Sequence, residues 1–250
     1  MKSPRAQSES DIYHVVARGT GKQLIFEDDA DHLEYLSLMS TSLTKEGVEL
    51  YAWCLMGNHI HLLRHAPIER ISNCMKNLLG SYARYFNERH GRVGHLFQER
   101  FRSVPVDSDE QLIETLLYIH LNPCKAHLGS CSSYAWSSYC EYLDTPRYCT
   151  TDFIMSLFDG TDDYVASHKN ALTAFLEQEE QELIQPRHVI PDIMVVQAAE
   201  EALFPVAPSS VKSFSRDHRD ELLRKLKTIG LSLRQIERVT GVSKSVVARA

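Results

Sequence analysis

His59 and His61 flank Ile60 inside an apolar run, MGNHIHLLRHA. Side chains alternate along an extended strand, so both imidazoles point to one face and Ile60 to the other. Two nitrogen donors on one face are the start of a divalent-cation site. A second pair lies in LLYIHLNP, where Tyr118 and Asn122 are four residues apart and share one face of a helix, one turn from each other. The Asn122 amide oxygen completes a mixed nitrogen and oxygen set suited to Mg2+ or Mn2+, with positions left open for phosphate. Tyr118 then stands beside the metal. His120, two residues on, points away from Tyr118. Taken singly, each pair also fits an ordinary role: histidines on a partly solvated strand face, a tyrosine packed in a helical core. Together they define a candidate site.

The elements that must position this site can be read from periodicity. IYHVVAR (12–18) favours a strand, and 28–45 carries Leu33, Leu36 and Leu43 in a helical rhythm. VELYAWCLM and HIHLLRHA form a hairpin about the two-residue turn Gly57-Asn58. Ile68 to Arg89 reads as a helix, FRSVPV as a fourth strand, and Asp107 or Ser108 as the cap of a helix that ends at Asn122-Pro123 or shortly after. The order β-α-β-β-α-β-α predicts an α+β fold, a ferredoxin-like antiparallel sheet with packed helices, followed by a C-terminal all-α extension.

Composition bounds the class. A chain of 250 residues with 43% hydrophobic content can bury a sizeable core without disulfides. Its six cysteines show no CxxC spacing and read as reduced, mostly buried thiols. The polar start MKSPRAQSESD has no apolar leader, and no run of apolar residues is long enough to span a membrane, so a cytoplasmic protein is expected. The net charge of −6 hides two basic islands. Residues 70–104 hold seven Lys/Arg against Glu88 and Glu99, and residues 217–250 hold eight against four acids. The acidic span 151–201 between them, with eleven Asp/Glu against Lys169 and Arg187, drives the average negative. Pro205 and Pro208 mark a linker, after which DHRDELLRKLKTIG and LSLRQIERVTGVSKSVVARA have the arithmetic of a helix-turn-helix with Ser243 capping the recognition helix.

Five ordered blocks, YHVVARG, MGNHIHLL, GHLFQERFRS, YIHLNPCKAHL and YAWSSYCEYL, resemble the single-tyrosine HUH transposases of the IS200/IS605 type, and more closely the REP-associated tyrosine transposases. The blocks cover residues 12–143. Thr20 stands where that family often has Asn, and Gly57 where Pro is frequent. The resemblance implies that His59 and His61 are the HUH histidines, Asn122 the third metal position and Tyr118 the nucleophile. The implied reaction is cleavage and rejoining of single-stranded or hairpin DNA through a 5′-phosphotyrosine. A phenol with a pKa near 10 needs a metal or base to favour its ionised form. With the acidic span and the helix-turn-helix arithmetic, the expected division is an HUH domain at 1–145, an acidic helical connector at 146–208 and a helix-turn-helix-like DNA-binding module at 209–250.

Expected DNA contacts are Lys76, Arg84, Arg89, Arg92, Arg100 and Arg102, which interleave with Tyr82, Tyr85, Phe86, Phe97 and Phe101, together with Arg18 near the sheet end. In the C-terminal module they are Arg234, Arg238 and Lys244, with Arg249 beside them. The expected partner is DNA, and the chain acts as a monomer or as a homodimer that exchanges the Tyr118 helix. Two other readings stay open at this level: a non-cleaving DNA-binding regulator, and a metal-dependent hydrolase of a small phosphoester.

Overall fold

Alternation of apolar residues produces four strands, and the computed structural model joins them into one antiparallel sheet. β1 (Ile12–Arg18), β2 (Glu49–Met56), β3 (His59–His65) and β4 (Arg102–Pro105) lie in the order β2-β3-β1-β4, the expected ferredoxin-like arrangement. The structure describes residues 5–184 and 195–250; the polar first four residues and the part of the expected connector at 185–194 lie outside the described residues. Three helices belong to the sheet: α1 (Asp29–Glu46), α2 (Ile68–Arg89) and α3 (Asp109–Lys125). Asp28 caps α1 by accepting the Asp31 N–H, and Ser108 caps α3 by accepting the Gln111 N–H at 3.2 Å. Pro123 stays inside α3, which runs on to Lys125.

The sheet has two unlike faces. On one, Tyr13, Val15, Trp53, Leu55, Ile60 and Leu62 pack under α1 and α2, meeting Tyr35, Met39, Ile71, Leu78 and Tyr82. On the other, Ala52, Cys54, Met56 and Leu63 pack under α3 through Leu112, Leu116 and Ile119. The β1–β3 register pairs Val16 with His61 and Arg18 with His59, so the histidines share the α3 face. Residues 134–142 cover the open edge of β2: Leu55 N–H donates to the Trp136 carbonyl and Ser138 N–H to the Trp53 carbonyl, both at 2.9 Å. Glu141 anchors this segment, accepting from Trp53 Nε1 at 2.8 Å and from the backbone N–H groups of Arg147, Tyr148 and Cys149.

The chain divides into two compact units, Met1–Ala174 and Phe175–Ala250. The first extends past residue 145, where sequence placed a boundary, because helices α4 (Asp152–Met155) and α5 (Thr161–Ile184) bring Ile154, Phe158 and Tyr164 into the core beneath α3. His120 ties α3 to this layer. Fully buried on the rear of the helix, it bonds His168 Nε2 through Nδ1 at 3.0 Å and the Ser138 hydroxyl through Nε2 at 2.8 Å.

In the second unit, α6 (Val195–Leu203), α7 (Arg216–Thr228), α8 (Leu233–Thr240) and α9 (Lys244–Arg249) enclose a core of Leu222, Leu226, Leu231, Ile236, Val242 and Val247. Ser232 and Gln235 form a capping box at the start of α8, and Gly241 ends it in the left-handed conformation at φ 68°. Ser243 precedes α9 but its hydroxyl makes no cap; the Lys244 N–H donates to Glu237 Oε1 at 2.9 Å instead. No described helix is long and apolar enough to cross a membrane.

Burial pushes His168 down to about 4, below its unfolded value near 6.5. The unfolded chain therefore binds more protons than the folded one between these values. The His168 contribution to stability is complete above about pH 6.5 and falls away by about 3 kcal/mol as pH drops towards 4. Urea titrations across this range are expected to show that slope, and His168→Gln to flatten it. An unchanged slope in the variant would assign the acid sensitivity to other groups.

Candidate functional site

The α3 face of the sheet carries an open pocket of about 560 Å³ lined by His14, His61, Arg102, Glu114, Thr115 and Tyr118. Its floor is set by strand alternation: His14 and Val16 from β1, His61 from β3 and Arg102 from β4 all project to this side. Its wall is α3, which holds Tyr118 with 42% of its surface exposed, an unusual degree for a large ring on a packed helix.

The rings meet closely. Tyr118 lies 5.5 Å from His61 and 5.8 Å from His14, centroid to centroid, edge-on to both. His59 and His61 are 5.0 Å apart with their planes at 83°. His14 stacks on His61 at 5.1 Å, and its Nε2 lies 2.9 Å from His61 Nδ1. His59 Nδ1 donates to Asn58 Oδ1 at 2.6 Å. Each of the paired histidines thus spends its Nδ1 on a neighbour, and its Nε2 has no hydrogen-bond partner among the described residues. Asn122 is buried one turn beyond Tyr118 and its Nδ2 donates to the Tyr118 carbonyl at 2.7 Å. No hydrogen bond joins it to either histidine, and its Oδ1 has no partner among the described residues.

Electrostatics keep these donors neutral. Burial pushes His61 down to about 3, helped by the neighbouring His14 and His59, and pushes His14 down to about 4 with Arg102 beside it. Burial and the nearby Arg18 lower His59 as well. With His61 Nδ1 as the donor to His14, the uncharged His59 and His61 rings would present Nε2 lone pairs, the form that binds a divalent cation. With the Asn122 oxygen they make a donor set that fits Mg2+ or Mn2+. Among the described residues no group of three His, Cys, Asp or Glu side chains is arranged to hold a metal, so an amide oxygen is needed to complete one here.

His14 is the site residue that sequence reasoning passed over. Lys125 is a second, its ammonium 4.6 Å from the Tyr118 ring centroid. The expected DNA contacts separate by environment. Arg102 lines the pocket, while Arg18, Lys76, Arg84 and Arg100 are exposed. Arg92 is half-buried and its guanidinium donates to Gln23 Oε1, beside the Phe86 ring. Arg89 is bound by Asp28 and Asp31. Arg234, Arg238 and Lys244 are exposed on α8 and α9 of the second unit.

Residues 7–122 match the family described as transposase IS200 like. That segment, which holds the sheet, both histidines, Tyr118 and Asn122, is thus similar to the IS200-like transposases, a family of enzymes acting on DNA. Among solved structures the chain is similar to a REP-associated tyrosine transposase bound to a REP hairpin, with 14% identity over 57% of this chain and 85% of that one and a TM-score of 0.46. It is also similar to a candidate transposase from Deinococcus radiodurans R1, with 24% identity over 46% of this chain and 98% of that one and a TM-score of 0.32. No curated protein matches the chain.

The His14 contact makes a spectroscopic prediction. With one proton held between His14 Nε2 and His61 Nδ1, long-range 1H–15N spectra are expected to show a single neutral tautomer for His61. His14→Ala is expected to release the ring into a mixture of tautomers. An unchanged single tautomer in the variant would mean that something other than His14 holds it.

Proposed function

We propose that this chain cleaves and rejoins single-stranded or hairpin DNA through a 5′-phosphotyrosine on Tyr118, with Mg2+ or Mn2+ held by His59, His61 and Asn122. The observation that carries this reading is the exposed Tyr118 ring meeting the neutral His14–His61 pair in a pocket also lined by Arg102. The Tyr118 oxygen attacks phosphorus and gives up its proton. The bond from phosphorus to the 3′ oxygen breaks, and that oxygen takes up a proton and leaves as a hydroxyl. A 3′-hydroxyl attacking the phosphotyrosine reverses the exchange and rejoins strands, with the phosphoester bond conserved throughout. When bound, the cation supplies charge neutralisation at the phosphate oxygens.

The chain's own groups have distinct tasks. His14 is a positioning residue that fixes the tautomer and orientation of His61. The Lys125 ammonium, 4.6 Å from the Tyr118 ring centroid, packs against that ring. Arg102 in the pocket and Arg18 at the end of β1 hold phosphates of the entering strand, with Lys76, Arg84 and Arg100 along its path. Arg92, tied to Gln23, keeps the loop after α2 in place and contacts DNA only through what remains of its exposed surface. We assign residues 209–250 to DNA addressing through Arg234, Arg238 and Lys244; the capping box and the Gly241 turn support a helix-turn-helix.

Incubation of labelled hairpin and single-stranded oligonucleotides with Mn2+ tests this directly. Tyr118→Phe is expected to lower cleavage at least about 1,000-fold while leaving DNA binding intact. Equal cleavage by the two proteins would remove Tyr118 from the mechanism. His14→Asn is expected to weaken Mn2+ binding about 10- to 100-fold, read by electron paramagnetic resonance of free Mn2+. Unchanged Mn2+ affinity would reduce His14 to a packing residue.

A further inference from the structure

The edge strand β4 separates two pockets. Arg102 pairs with Val16 in register and lines the Tyr118 pocket, whereas Ser103 pairs with Val15 and belongs to the α2 side. On that second side lies a pocket of about 290 Å³ lined by Arg5, Met75, Lys76, Leu79, Arg100 and Phe101. Its interior is apolar, with Met75 and Phe101 buried, and three cations stand around it.

The cations there are unlike others on the same helix. Arg89 of α2 is neutralised by Asp28 and Asp31. Arg5, Lys76 and Arg100 take part in no ion pair among the described residues. Burial and the nearness of Arg100 both push Arg5 below its ordinary value, the mark of like charges crowded without a counter-ion. The Arg5 guanidinium stands 3.6 Å over the Phe101 ring, held by donation to the Phe101 carbonyl at 2.8 Å and to Ser103 Oγ at 3.4 Å. A guanidinium already stacked on an aromatic ring leaves its outer face as a stacking surface for a base, and the rim cations Lys76 and Arg100 are phosphate ligands. An adjoining hollow shares Arg5 and Ser72 and carries one acid, Glu69, which closes off that end to phosphate.

We propose that this pocket is a second nucleotide subsite, taking one unpaired base on the outer face of the Arg5 guanidinium with its flanking phosphates on Lys76 and Arg100. It rests on the reading of the Tyr118 site as one that acts on single-stranded DNA. β4 has no further strand beside it, so a flexible strand engaged at Tyr118 reaches the subsite by passing over the open sheet edge. A rigid duplex cannot make that turn. The subsite therefore selects substrates with unpaired nucleotides next to the cleaved bond.

Tyr118→Phe protein, which binds without cleaving, is the background for the test. Single-stranded oligonucleotides carrying photoreactive 5-iodouracil at successive positions are expected to cross-link at one position to the peptide containing Phe101 or the one containing Met75. Adding Lys76→Ala and Arg100→Ala is expected to weaken binding about tenfold or more at moderate salt, with an unchanged melting temperature. The slope of log affinity against log salt should fall by about 1.4, about 0.7 for each cation lost. A wild-type slope and affinity in the double variant, or cross-links that avoid both peptides at every position, overturns the subsite. Cross-linking at Phe101 by a protein whose wild-type Tyr118 never forms an adduct would keep the subsite and reject the cleavage reading instead.

Discussion

The register of β1 against β3 is the constraint on which the site depends. Val16 opposite His61 and Arg18 opposite His59 place four side chains on one face, and a slip of one residue would turn both histidines into the core under α1 and α2. That core forbids the slip. Tyr13, Val15, Ile60 and Leu62 fill it almost without exposure, and Arg64 from the same strand is fully buried there. The chemistry on one side of the sheet is thus held in place by the packing on the other.

α3 completes the arrangement by being bound on two faces at once. Leu116 and Ile119 hold it to the sheet, while His120 bonds His168 and Ser138 behind it. With core and rear both fixed, the remaining face presents Tyr118 to the histidines and Asn122 one turn further along. Burial then does electrostatic work, since desolvation keeps His14 and His61 uncharged.

Sequence alone revealed the parts of the site whose spacing is local. Two histidines at period two and a tyrosine four residues before an asparagine declare their faces without any tertiary information. His14 does not, although its place in IYHVVAR puts it on one face with Val16 and Arg18, because only the pairing of β1 with β3 says that this is the face of His61. The ferredoxin-like order was legible from short loops and the Gly57-Asn58 turn. The extent of the first unit was not, because Ile154, Phe158 and Tyr164 reach the core from a stretch with no steady period. The cap of α9 also eluded sequence: Ser243 has the right residue type, but Glu237 from the preceding helix supplies the acceptor. Among the basic residues, composition identified an island while the fold sorts it, binding Arg89 to carboxylates, tying Arg92 to Gln23 and leaving Lys76 and Arg100 without an ion pair among the described residues.

The central claim is that one tyrosine among the eleven in the chain is the covalent attachment point, chosen by the histidines beside it. Peptide mapping by mass spectrometry, after denaturing a reaction with a single-stranded substrate and digesting the DNA, tests this most directly. The account predicts a nucleotide remnant on the peptide containing Tyr118 and on no other. A remnant on any other tyrosine, or a cleaved substrate with no modified peptide at all, would contradict it.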